Sequence, residues 1–159
     1  MKSAKPKKTA LAKAVDFLAR QDHSTAKLRD KLTRLRYAET DIDAAIAKLI
    51  AKGYLNDRAV CERQFRYLYA ENRASVRRIC VKLRERGFDE ETIAACVPPD
   101  TEERENIAAR RLLGQKYRRV AAKEPDKMKA FLYRQGFDGD ICNKAVEDFM
   151  LYCDKELEE

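Results

Sequence analysis

The sequence is poor in residues that interrupt helices, with five glycines and four prolines among 159 positions. Good helix formers are abundant, so long helices are favoured. It also has no alternating run of β-branched or aromatic residues bounded by turn residues, and so no candidate strand. Together these shortages predict an all-α fold.

The means of catalysis are just as scarce. The single histidine, His23, stands in Asp22-His23-Ser24, a helix-start setting that places no nucleophile beside a base. The carboxylates gather at helix starts, where the macrodipole accounts for them, and the glycines form no phosphate-cradling loop. The five cysteines (Cys61, Cys80, Cys96, Cys142 and Cys153) include no C-x-x-C pair, and several fall on apolar helix faces. Reduced, buried thiols of a cytoplasmic protein are expected, with no metal site and no cofactor. No apolar run approaches the length of a membrane span. The Ala/Leu stretch behind Lys2, Lys5, Lys7 and Lys8 is interrupted by Lys13, Asp16 and Arg20 too early for a signal peptide. The expectation is a non-enzyme with no catalytic residue, and a monomer, since no heptad seam asks for a partner.

What the sequence has is charge. Charged residues make up 38%, with a net charge of +7. Such an excess suits nucleic acid, an anionic surface or an acidic protein. Residues 1–55 hold 13 Lys/Arg against 6 Asp/Glu, residues 56–99 hold 9 against 7, and residues 100–159 hold 12 against 14. The positive charge therefore lies toward the front.

Caps and apolar spacing give nine helices. The first covers about residues 9–21, with Leu11, Val15 and Leu18 on one face. Ser24 caps the second, which carries Leu28, Leu32 and Leu35. Thr40, with Asp43 as its capping-box acid, starts the third, whose stripe is Ile42, Ile46 and Leu49; Gly53 ends it. Asn56 or Asp57 opens the fourth, with Cys61, Phe65 and Leu68. Ser75 caps the fifth, with Val76, Ile79, Cys80 and Leu83, and Gly87 stops it. Asp89, Glu90 and Glu91 start the sixth, carrying Ile93 and Val97. The seventh begins near Asp100, with Glu103 as capping partner, and runs to about Ala122. Pro125 introduces the eighth, with Met128 and Leu132, ended by Gly136, and the last covers about residues 138–152.

These helices repeat. Ser24, Leu28, Leu32, Tyr37 and Ile42 match Ser75, Ile79, Leu83, Phe88 and Ile93 in spacing. Met128, Leu132 and Phe137 continue the series, with Ile141 one residue early. The aromatic returns at intervals of 51 and 49, and its fixed place at a helix junction points to the core. The division is a flexible basic lead-in at 1–8, three-helix units at 9–53, 54–98 and 99–153, and an acidic tail at 154–159. Each unit has a small core, so neighbours are expected to pack end to end as an elongated, curved array.

The basic residues recur in register. Lys27, Arg78 and Lys127 share one repeat position, and Lys31 corresponds to Lys82. On the fifth helix Arg77, Arg78, Lys82, Arg84 and Arg86 cover the face away from Val76, Ile79 and Leu83, with Glu85 the only acid among them. Pairing at i,i+4 therefore cannot account for them. Arg63, Arg66 and Arg73 add to this set, which is the candidate site for an acidic partner or phosphates.

At this point the sequence resembles a known family, RecX, the bacterial regulators of the RecA recombinase. Arg20-Gln21-Asp22-His23-Ser24 followed by Leu28-Arg29-x-Lys31-Leu32 resembles its opening repeat, and Gly53-Tyr54-Leu55-Asn56-Asp57 resembles its join between the first two repeats. Lys82-Leu83-x-x-x-Gly87-Phe88 resembles the second repeat, and Lys116-Tyr117 with Phe131-Leu132-Tyr133-Arg134-x-Gly136-Phe137 the third. The resemblance covers about residues 10–150. It implies three tandem three-helix repeats, binding in the groove of the RecA–DNA filament, and negative modulation of that filament's ATPase, strand exchange and co-protease activities. Binding to single- or double-stranded DNA is expected to be weak or to pass through the filament. Two departures stand out: Glu71-Asn72-Arg73-Ala74 where relatives often carry a Gly-Tyr-Gly turn, and Val60 where an aromatic is common. The alternative function is a DNA-binding protein built from tandem helix-turn-helix-like units.

Overall fold

The computed structural model describes residues 8–118 and 124–155, with side chains described to residue 152. Among the described residues the chain is all-α. Its helices are α1 Ala10–Leu18, α2 Thr25–Arg34, α3 Glu39–Ala51, α4 Asp57–Ala70, α5 Val76–Glu85, α6 Glu90–Ala94, α7 Glu102–Tyr117, α8 Pro125–Arg134 and α9 Gly139–Lys155. The basic lead-in up to residue 7, the expected continuation of α7 to Ala122 and the tail beyond residue 155 lie outside the described residues. No described helix is long and apolar enough to cross a membrane.

The threefold recurrence is carried by the second helices. α2, α5 and α8 are ten residues long, and each ends in the same hydrogen-bonded turn. The N–H groups of Tyr37, Phe88 and Phe137 donate to the carbonyls of Leu32, Leu83 and Leu132. Those of Arg36, Gly87 and Gly136 donate to Thr33, Arg84 and Tyr133. This is a Schellman closure, which needs a left-handed residue just past the cap. Arg36, Gly87 and Gly136 supply it, with φ of +61°, +86° and +89°. The closure sends the following aromatic back toward its own helix, so Phe88 and Phe137 are buried and Tyr37 is half-buried.

The inward positions also repeat. Leu28, Ile79 and Met128, and again Leu32, Leu83 and Leu132, are at most 1% exposed, which fixes the face each second helix turns inward. In the third repeat the register slip at Ile141 is absorbed by its neighbour. Cys142 occupies the position of Ile42 and Ile93, is 3% exposed, and its thiol is pushed up in pKa by burial. Cys61 is buried, whereas Cys80 and Cys96 are half-buried rather than core.

Five local expectations are corrected. Leu35 is the C-cap of α2, where the chain turns away, and is 40% exposed. Val15 is 49% exposed because α1 packs through the small Ala10 and Ala14. Thr40 does not cap α3: the closure after α2 leaves Ala38 as N-cap, without a side-chain bond, and Glu39 and Asp41 offset the uncapped N–H groups. α6 stops at Ala94, short of Val97, because the residue before Pro98 is held out of the helical region. Glu103 does not cap α7; Asp100 accepts from the Glu102 N–H, and it is Glu105 that turns inward.

The described chain divides into two compact units, Met1–Arg63 with Leu83–Ile93, and Gln64–Lys82 with Ala94–Glu159, so the division falls within α4 and α5. The first has a core of Ala14, Leu28, Leu32, Ile42, Ile46, Leu49 and Leu55. That of the second is built around Leu113, Met128, Leu132, Phe137, Val146 and Phe149.

Each unit holds one copy of the same joint. In the first, the Ser24 hydroxyl caps α2 by accepting from the Lys27 N–H and donates to the Arg86 carbonyl at 2.7 Å. The Thr25 N–H donates to Asp57 at the start of α4, at 2.8 Å. In the second, the Ser75 hydroxyl accepts from the Arg78 N–H and donates to the Gln135 carbonyl at 2.8 Å, while the Val76 N–H donates to Glu105 at 2.9 Å. A serine and a carboxylate thus satisfy the orphan donors of one second helix and dock it on the next repeat's helices.

These joints make opposite demands at equivalent positions. A Cβ on Gly87 would lie 2.7 Å from the Ser24 hydroxyl, whereas Arg36 is exposed and carries only the cost of its left-handed backbone. Arg36→Gly is expected to raise stability by up to about 1 kcal/mol, and Gly87→Ala to lower it by more than ~1 kcal/mol. Urea midpoints at constant slope check both changes.

Candidate partner-binding surface

The candidate cations fall into three groups. Arg63, Arg84 and Lys127 are exposed but engaged. Arg63 pairs with Asp22 at 2.7 Å, Arg84 forms a two-point bridge to Glu90, and Lys127 pairs with Glu124 at 2.7 Å. Lys27 and Lys31 are half-buried. The Lys27 stem packs beside Gly87, and the Lys31 ammonium lies 5.0 Å from the centre of the Phe17 ring. That ring also meets His23 edge-on; burial lowers the pKa of His23, and Lys31 lowers it further.

The third group lies in the second unit. Arg73, Arg77, Arg78 and Lys82 are exposed, and none has a carboxylate partner among the described residues. Arg66 is exposed on α4 of the same unit. Three of the four unpaired cations project from α5, whose inward side is fixed by Ile79 and Leu83. Opposite charges would cancel the local field, so this segment keeps a positive potential that the ion-paired cations do not. The structure thus separates a set that the repeat register alone treats as one row.

The turn that presents this group is held by a residue that sequence reasoning missed. Asn72 takes the left-handed conformation, φ +50°, in place of a glycine, which asparagine tolerates better than most residues. Arg104, from the first turn of α7, donates to the carbonyls of Tyr69 and Ala74 and stacks its guanidinium 4.6 Å from the centre of the Tyr69 ring. Arg111 adds a bond to the Glu71 carbonyl at 3.1 Å. Arg104 also pairs with Glu105 at 3.0 Å, both side chains about nine-tenths buried. Burial raises the Glu105 pKa, and the Val76 N–H and Arg104 pull against that rise. One arginine thereby fixes the end of α4, the turn bearing Arg73, and the acid that caps α5. The charge pattern gave no sign of it, since Arg104 sits among Glu102, Glu103 and Glu105 and reads as a solvated helix start.

Known proteins match this chain along most of its length. The first three-helix domain of RecX matches residues 10–49. Over 146 residues the chain is 30% identical to the regulatory protein RecX of Neisseria meningitidis serogroup A, covering 90% of this chain and 92% of that one. The regulatory protein RecX of Trichlorobacter lovleyi is 29% identical over 140 residues, 84% of this chain and 91% of that one. The crystal structure of RecX from Lactobacillus salivarius superposes with a TM-score of 0.77 at 22% identity, covering 89% of this chain and 95% of that chain. At that identity the structural likeness speaks for the fold.

Proposed function

This chain belongs to the RecX family, and from that membership we propose that it binds the RecA–DNA filament and lowers its ATPase, strand-exchange and co-protease activities without catalysing a reaction itself. The observation that supports the reading is the cluster of Arg73, Arg77, Arg78 and Lys82, exposed and without carboxylate partners. A filament of protein on nucleic acid offers both acidic side chains and phosphates, and such a cluster gains from either. It attracts the partner over distance and reads no base sequence, because phosphate contacts position a protein without specifying sequence.

The reading separates from that of a tandem helix-turn-helix DNA-binding protein by what the chain prefers to bind. Labelled single-stranded DNA coated with RecA, and bare duplex of several sequences, are titrated at one salt concentration. Binding to the coated strand is expected to be tighter by about tenfold or more, with little difference among duplexes. Equal affinity for both, or selection of one duplex sequence, contradicts the proposal.

A further inference from the structure

A single exposed tyrosine needs no explanation, and Tyr54 and Tyr67 are as exposed as Tyr133, but Tyr133 lines a groove with cations beside it. Tyr37 donates its hydroxyl to the Lys8 carbonyl, Tyr69 lies between Phe65 and Arg104, and Tyr117 packs edge-on against Phe131. Tyr133 is 69% exposed on α8, and its side chain has no ring, cation or hydrogen-bond partner among the described residues. It lines a groove of about 400 Å³ between α8 and the start of α9, together with Lys129, Ala130, Arg134, Gly139 and Asn143. No carboxylate lines that groove, and neither Lys129 nor Arg134 has an ion-pair partner among the described residues.

The spacing follows from the helix. Lys129 lies one turn before Tyr133 on the same face of α8. Arg134, although the next residue points to another side of a helix, also lines the groove, so the ring has two unneutralised cations near it. An aromatic platform edged by cations is the chemistry that holds a single-stranded nucleic acid: a base stacks on the ring and the neighbouring phosphates meet the cations. A duplex, with its bases already stacked on one another, cannot use the ring. The geometry points to a binding site for single-stranded nucleic acid on this groove, with Tyr133 as the stacking residue and Lys129 and Arg134 as phosphate contacts. The site goes beyond regulation of the recombinase, because it acts on a bare strand.

The test uses the full-length protein, an end-labelled oligothymidylate and no recombinase. The chain has no tryptophan but seven tyrosines, so the fluorescence quenching lost in a Tyr133 variant, rather than the total signal, reports stacking at this position. The wild type is expected to bind with quenching of that fluorescence. Tyr133→Phe should retain the affinity, and Tyr133→Ser should lose roughly tenfold, the order lost when one base loses its aromatic platform. Lys129→Ala and Arg134→Ala should each reduce the salt dependence by about 0.7 in the logarithmic slope. Because Tyr133 and Arg134 are exposed and the half-buried Lys129 has no ion pair among the described residues, all four variants should melt close to the wild type. Wild-type affinity in Tyr133→Ser, or equal losses in the serine and phenylalanine variants, overturns the assignment. So does the absence of any wild-type binding at low salt; if Tyr133→Ser then weakens inhibition of the recombinase, the groove belongs to a protein partner.

Discussion

Reversing Arg77, Arg78 and Lys82 together to glutamate is expected to raise the protein concentration needed to half-inhibit RecA's DNA-dependent ATPase by roughly tenfold or more. A shift of that size corresponds to the loss of a few contacts of about 0.5–1.5 kcal/mol each. All three side chains are exposed and have no described carboxylate partner, so they leave no structural bond behind. The helical spectrum and melting temperature should hardly change, since exposed charges contribute little to stability. Replacing Arg63 and Lys127 with glutamine is the informative control, because Asp22 and Glu124 already neutralise them and their loss should cost much less inhibition. Inhibition by the wild type should also weaken steeply with salt, as charge-mediated contacts do. A folded triple variant that inhibits at the wild-type concentration moves the binding surface away from α5.

The largest expected effect on stability is at Arg104. Arg104→Ala should destabilise the protein by ~3–5 kcal/mol, because removing one member of a buried ion pair leaves the other charged and uncompensated. In the same step the Ala74 carbonyl loses its bond from Arg104, and the Tyr69 carbonyl is left with the 3.4 Å bond from the Asn72 N–H. For a chain of this length the melting temperature should fall by roughly 10 °C or more. The loss has a defined pH dependence. Burial already raises the Glu105 pKa, and without Arg104 it rises further, so the variant's native state holds a proton over a window where the wild type has released it. A native state that binds more protons gains stability as pH falls. The gap between variant and wild type should therefore narrow on going from neutral pH to the acid side of the carboxylate range. A gap that stays constant or widens would mean that Glu105 is not the group left exposed to the loss.

Much of the fold was legible because its signals are local. Ser24 and Ser75 act as N-caps, Gly87 and Gly136 as left-handed stops, and Leu28, Leu32, Ile79 and Leu83 as the inward stripe, all at spacings a helix imposes. Where the reading slipped, a neighbouring element had decided the outcome. Thr40 is a good cap residue, but the closure that ends α2 had already fixed where α3 begins. Glu103 fits the capping-box spacing, but Glu105 turns inward because the Val76 N–H and Arg104 lie there to meet it. The site divides in the same way. Periodicity puts the cations on outward faces, but only the fold separates Arg84, held by Glu90, from Arg78, which has no carboxylate partner among the described residues. Asp57 and Glu105, 48 residues apart at the starts of α4 and α7, are a part of the joint that the repeat could have revealed beside Ser24 and Ser75.

The most direct test of the central reading is RecA's ATPase on single-stranded DNA, measured with and without this protein over a range of concentrations at fixed salt. A regulator that acts on the filament should lower the rate progressively, and at amounts of protein well below the RecA present if one bound molecule affects several subunits. An unchanged rate with the protein in excess over RecA would contradict the assignment.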